Sequence, residues 1–185
     1  SLPEIYRAFL SEIQTRLPQS RIYTDPLRTL AYGTDASFYR LIPKIVIKAR
    51  NEAEVALITA TAARRGIHVT YRAAGTSLSG QAISDSVLII AGGDWNGYEI
   101  LDNGERIRLQ PGVIGAHANR YLLPFSRKIG PDPASINAAM IGGIAANNAS
   151  GMCCGISQNS YQTISSMRVV FFDGTILDTS DPESR

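Results

Sequence analysis

Between residues 44 and 91 the chain changes period in an order that few architectures accept. "KIVIKA" (44–49) alternates at the period of a short strand. "NEAEVALITATAARRG" (51–66) then switches to helical spacing, with Val55, Ile58 and Ala62 on one face. Both ends are punctuated: Asn51 is a candidate N-cap with Glu54 in the capping-box position, and Gly66 is a candidate stop. "IHVTYR" (67–72) reads as a second strand and "SVLIIA" (86–91) as a buried third. Strand, helix, strand, Gly-rich loop, strand implies an α/β layer with a parallel component, since parallel neighbours need a crossover.

Outside this stretch, "SLPEIYRAFLSEIQTRLP" (1–18) reads as an amphipathic helix running to about Leu17, and residues 19–42 carry no pattern that assigns them. "GYEILDNGERIRLQPG" (97–112) reads as a hairpin about Asn103-Gly104. "VIGAHANRYLLPF" (113–125) reads as a helix ending near Pro124, and "MRVVFFDGTILDT" (167–179) as a second hairpin about Asp173-Gly174. The expected organisation is a helical lead-in over 1–24, a first lobe over 25–94 and a second over 95–185, with the seam near 92–97. Each lobe is expected to be a small mixed sheet with helices.

Composition removes several classes of function. With 44% hydrophobic and 18% charged residues the chain reads as an ordinary globular protein. Its basic residues are scattered, with no run longer than Arg64-Arg65 or Arg127-Lys128, and Trp95 and the tyrosines form no stacking stripe, which argues against nucleic acid. No apolar stretch is long enough to span a bilayer, and acids within 1–18 argue against a signal segment. The missing initiator Met and the polar finish "DTSDPESR" suggest a piece of something longer. Cys153 and Cys154 are adjacent, so neither a disulfide framework nor a CxxC site is expected, only two small, partly buried thiols.

Thirteen of the sixteen glycines lie between Gly75 and Gly155, concentrating the chemistry in two segments. The first is "YRAAGTSLSGQ" (71–81), after which no Lys or Arg occurs until Arg106; the second is "IGPDPASINAAMIGGIAANNASGMCCG" (129–155), which has none at all. An anion held there is left with backbone amides and hydroxyls, and glycine lets successive amides form an anion-binding nest. A helix beginning near Ala138 or Met140 would add its positive end. Small residues at Gly142, Gly143, Ala145 and Ala146 admit an extended group close to the backbone. The competing reading is that these glycines serve only turns and helix packing.

Other sites are tested by the letters. "GTSLSGQ" has Walker glycine spacing but Gln81 where the lysine belongs, no Gly-x-Gly-x-x-Gly follows the strand, and no Gly-x-Ser-x-Gly elbow occurs. His68 and His117 lack partners at ligand spacing and read as structural or surface residues. Asp132, between Pro131 and Pro133, either accepts a ligand hydrogen bond or only shapes the turn.

"RAAGTSLSGQ" followed by "GPDPAS…MIGGIAANNASGMCCG" resembles the FAD-binding domain of the vanillyl-alcohol oxidase/p-cresol methylhydroxylase (PCMH-type) family, over about residues 25–180. Within that family it is most similar to the FAD-linked D-lactate dehydrogenase and glycolate oxidase branch, including members with a C-terminal iron–sulfur region. The resemblance implies a two-lobed α+β domain holding FAD in the groove between its lobes. It implies that Ala73, Ala74, Gly75, Thr76, Ser77, Leu78, Ser79, Gly80 and Gln81 cradle the pyrophosphate. On the other side it implies Gly142, Gly143, Asn147, Ser150 and Gly151, with Pro111 and Gly112 at the mouth and Pro131 and Asp132 beside the second motif. Many such oxidases carry a His where Thr76 stands and attach FAD through it, so non-covalent FAD is implied here; a cysteinyl link remains chemically open.

The cap domain and the basic or metal-liganding residues that orient a 2-hydroxy acid follow this region in the family. No catalytic or metal residue is therefore expected in this chain, which alone would be inactive. In the intact enzyme the resemblance implies hydride transfer from substrate C2 to FAD N5, with D-lactate the leading substrate. Electrons would pass to a quinone, a cytochrome or an iron–sulfur centre, in the cytoplasm or at the membrane periphery. Alternatives are glycolate or D-2-hydroxyglutarate oxidation, an NADPH-dependent reductase on the same fold, or a non-catalytic nucleotide-binding module.

Overall fold

The computed structural model describes residues 2–184, so the outer ends of the expected lead-in and second lobe, residues 1 and 185, lie outside it. The chain forms two compact units, residues 1–90 with 166–185, and residues 91–165.

Unit 1 begins with α1 (Glu4–Gln14), which buries Phe9 and Ile13 one turn apart. Thr15 closes it, its hydroxyl donating to the Glu12 carbonyl, three residues short of the expected end. The stretch without a pattern holds a two-residue strand β1 (Ile22–Tyr23) and a short helix α2 (Pro26–Ala31), capped by Asp25 accepting from the Arg28 amide. Then come β2 (Ile45–Ala49), α3 (Glu52–Ala63), β3 (Val69–Arg72) and β4 (Val87–Ala91). Asn51 caps α3 by accepting from the Glu54 amide at 2.9 Å. The sheet order is β1-β2-β4-β3, with β1 antiparallel to β2 and β3 parallel to β4 in the register Val69↔Val87.

The core of unit 1 is the sheet residues Ile45, Val46, Ile47, Val87, Leu88 and Ile89 with Val55, Ile58 and Ala62 of α3, all buried. Thr59 and Thr61 are buried as well. Thr59 donates to the Val55 carbonyl, and Thr61 donates to Glu12, so neither hydroxyl is left unpaired. Arg21 and Glu54 form a two-point ion pair at 2.6 and 2.7 Å, with side chains only 10% and 18% exposed.

In unit 2, β5 (Tyr98–Leu101) and β6 (Arg106–Leu109) form the expected antiparallel hairpin. Its turn is longer than a two-residue Asn-Gly turn, because Leu101 pairs with Arg106 and leaves residues 102–105 between them, with Asp102, Asn103 and Gly104 all at positive φ. Three helices follow: α4 (Gly115–Leu122), α5 (Ile141–Ala146) and α6 (Ser160–Thr163). Val113, Ala118, Leu122, Ala139, Ile144 and Cys154 are the buried apolar residues. Cys153 is exposed, and both cysteines are free thiols.

The last hairpin, β7 (Arg168–Val170) with β8 (Ile176–Asp178), belongs to unit 1 rather than to the second lobe. The reason is packing on α3. Arg168 pairs with Glu52 at 2.8 Å, Thr59 donates to the Phe171 carbonyl at 3.4 Å, and an added Cβ on Gly174 would stand 2.7 Å from the Ala56 carbonyl oxygen. Among the described residues no helix is long and apolar enough to cross a membrane.

Candidate functional site

The first glycine-rich segment is the loop that leaves β3. Gly75 takes φ +72°, and the turn is possible there because glycine has no side chain to strain the backbone or meet the Arg72 guanidinium. Ser77 organises the second half of the loop. Its Oγ accepts from the Ser79 amide at 3.3 Å and the Gln81 amide at 3.2 Å, so two of the amides expected to face a ligand are engaged within the loop. The amides of Gly75, Thr76, Ser77 and Leu78 take no protein acceptor among the described residues. Gly75, Thr76 and Ser77 are half-buried, whereas Leu78 is 78% exposed. Four consecutive N–H groups are thus left without a protein acceptor, three of them on half-buried residues, and such donors are the kind an oxyanion can satisfy.

Residues the sequence did not single out hold this loop. The Ala36 amide donates to the Gly75 carbonyl at 3.0 Å. Asp35 accepts from the Ser37 amide at 2.9 Å and from the Ala82 amide at 3.3 Å. Burial of Asp35 works against its charge, but hydrogen bonds from Ser37 and Ala82 and the nearby Arg72 outweigh it and hold the carboxyl below its ordinary range. The Tyr39 ring lies where a side chain on Gly80 would be, 3.1 Å from an added Cβ. These contacts link residues far apart in the chain, and no local pattern signals them.

In unit 2 the second segment is drawn together on its own backbone. The Gly142 amide donates to the Pro111 carbonyl at 2.9 Å and Ile141 to Val113 at 2.8 Å, while Ile114 and Met140 form an antiparallel bridge. The expectation that a helix end here adds positive charge is thereby corrected: α5 starts at Ile141, has six residues, and its first two amides are already used by those carbonyls. Gly112 is buried, its amide donating to the Trp95 carbonyl at 2.8 Å.

The "GPDP" turn meets the end of the same segment. The Asp132 amide donates to the Ser150 carbonyl at 2.8 Å, and the Asp132 carbonyl oxygen would stand 1.8 Å from a Cβ on Gly151, whose φ is +142°. Asp132 thus shapes the turn through its backbone, and its carboxylate takes no donor among the described residues. Pro131 is buried beside it, while Gly143 and Asn147 are exposed. Ser160, also unforeseen, is buried and donates to the Ile144 and Ala149 carbonyls, closing the chain after α5.

His68 is exposed on unit 1 and His117 half-buried on α4. Among the described residues no three His, Cys, Asp or Glu side chains gather as a metal site.

Unit 1 thus carries a loop whose Gly75 to Leu78 amides take no protein acceptor among the described residues, and unit 2 carries a small-residue segment braced by Pro111 and Asp132. The FAD binding domain model matches residues 43–180, and the chain belongs to that family. It is 31% identical over 175 residues to D-2-hydroxyglutarate dehydrogenase of Escherichia coli, covering 92% of this chain and 17% of that protein. It is 32% identical over 158 residues to the glycolate oxidase subunit GlcD of Escherichia coli, covering 83% and 32%. The chain therefore spans only a minor part of the curated relatives it matches. Its fold is that of an alkyldihydroxyacetonephosphate synthase (TM-score 0.82, 17% identity, 96% of this chain and 36% of that one). It also matches 6-hydroxy-D-nicotine oxidase from Arthrobacter nicotinovorans (TM-score 0.74, 18% identity, 86% and 35%). The expected α+β fold is the one observed, and the family is an FAD-binding one.

Proposed function

We propose that this chain is the FAD-binding portion of a flavin-dependent D-2-hydroxy-acid dehydrogenase. The observation that carries the reading is the run of uncommitted amides at Gly75, Thr76, Ser77 and Leu78, in a chain of an FAD-binding family. The residues present fit the cofactor. Within the loop from Ala73 to Gln81, Gly75 to Leu78 offer the pyrophosphate their amides, and Thr76 offers no imidazole for a histidyl link, which supports non-covalent FAD. Pro111, Gly112, Pro131, Asp132, Gly142, Gly143, Asn147, Ser150 and Gly151 of unit 2 are assigned to the same cofactor.

Bound flavin supplies a two-electron acceptor for the hydrogen on C2 of a hydroxy acid. This chain's own task is to bind and orient: its amides hold the anion in place, and its rigid turns fix the loop before the ligand arrives. Substrate-orienting residues, the electron acceptor (quinone, cytochrome or iron–sulfur centre) and any iron–sulfur cluster are assigned outside this chain.

The relatives' names favour D-2-hydroxyglutarate and glycolate, both 2-hydroxy acids, ahead of D-lactate. The test is anaerobic addition of each acid, in both enantiomers where they exist, to a protein of the relatives' full length carrying this chain. Loss of the oxidised-flavin absorbance with a D-2-hydroxy acid, but not its L-form, is expected; this chain alone should bind FAD and stay oxidised. Bleaching by NADPH with none by any hydroxy acid would replace the reading with that of a reductase.

A further inference from the structure

Three consecutive residues grip the loop at three points. The Thr34 carbonyl accepts from Arg72 Nη1 at 2.6 Å where the loop begins. The Ala36 amide holds the Gly75 carbonyl at 3.0 Å in its middle, and Asp35 holds the Ala82 amide at 3.3 Å where it ends. The guanidinium so anchored lies along Gly75: a Cβ placed there would be 2.5 Å from Nη2, 2.6 Å from Cζ and 2.8 Å from Nε. Nε and Nη2 take no protein acceptor among the described residues. Arg72 is half-buried, with Cζ 5.7 Å from the centre of the Tyr32 ring.

Counting from Ala73 onward, the loop has no cation of its own, yet folding brings one back onto Gly75. We propose that Arg72 supplies the positive charge of this anion site, held in position by residues 34–36, and that on the FAD reading above it answers the charge of the pyrophosphate. Two donors of a planar fork remain for phosphate oxygens, and charge-assisted hydrogen bonds are about twice as strong as neutral ones. The Thr34 bond keeps the side chain from swinging into solvent.

The test is FAD titration of the purified protein at several salt concentrations, for the parent, Arg72→Gln and Arg72→Lys, with unfolding midpoints for each. Arg72→Gln should raise Kd about tenfold, the loss of a charge-assisted contact, and flatten the dependence of log Kd on log salt. Arg72→Lys should keep the parent's slope. A slope unchanged in folded Arg72→Gln would overturn the inference while leaving the FAD reading intact. A folded parent that does not bind FAD would overturn both. Should Arg72→Gln fail to fold, phenylglyoxal modification of the parent decides: protection of Arg72 by FAD, read by peptide mass mapping, supports the inference, and equal modification with and without FAD overturns it.

Discussion

At the scale of single residues, the glycines divide by what surrounds them. Gly66 and Gly151 both take positive φ, but nothing lies within 4 Å of a Cβ on Gly66, whereas one on Gly151 would run into the Asp132 carbonyl. Gly66→Ala should therefore cost only the left-handed backbone term, about 1 kcal/mol. Gly151→Ala should cost about 3 kcal/mol or more and disturb the turn beside Asp132. Urea unfolding of the two variants checks this, and equal losses would contradict the packing described. The small, hydroxyl-rich character of 73–81 was legible in the letters, because it is local. Arg72, Thr34 and Asp35 were not legible as a unit, because their partnership exists only after residues 34–36 have folded against the loop.

At the scale of elements, α3 illustrates what a pattern reveals and omits. Its Asn51 cap and buried Val55, Ile58 and Ala62 follow from spacing, and Asn51→Ala should cost about 1 kcal/mol. The Arg21–Glu54 pair does not follow from it, since Arg21 lies in a stretch whose strand and helix are too short to show a period. Arg21's hydrogen bonds, opposed by burial and helped by the Arg50 amide, hold the Glu54 carboxyl below its usual 4.5. A depressed carboxyl stabilises the fold fully above its unfolded value, so this contribution is present above about pH 4.5 and fades as pH falls through the folded value. Glu54→Gln should cost about 3 kcal/mol at neutral pH by removing the opposite charge from a poorly solvated guanidinium. The variant should also flatten the acid limb of stability measured by denaturant unfolding across pH. An unchanged acid limb would assign that limb to other carboxylates.

At the scale of the whole molecule, the chain returns to unit 1 after residue 165. The hairpins themselves were readable from Asn103-Gly104 and Asp173-Gly174, but reading the chain in order placed the second hairpin with its sequence neighbours. Its allegiance is decided instead by Arg168 reaching Glu52 and by Gly174 fitting against α3. Removal of residues 166–185 should lower the thermal midpoint by about 5 °C or more, and an unchanged midpoint would show that unit 1 does not depend on this hairpin. The most direct measurement is titration of the folded protein with FAD beside FMN, followed by flavin fluorescence. Saturable FAD binding with much weaker FMN binding is expected, because the loop at Gly75–Leu78 is assigned to the pyrophosphate that FMN lacks. Equal affinity for the two flavins, or no binding of FAD, would contradict the account.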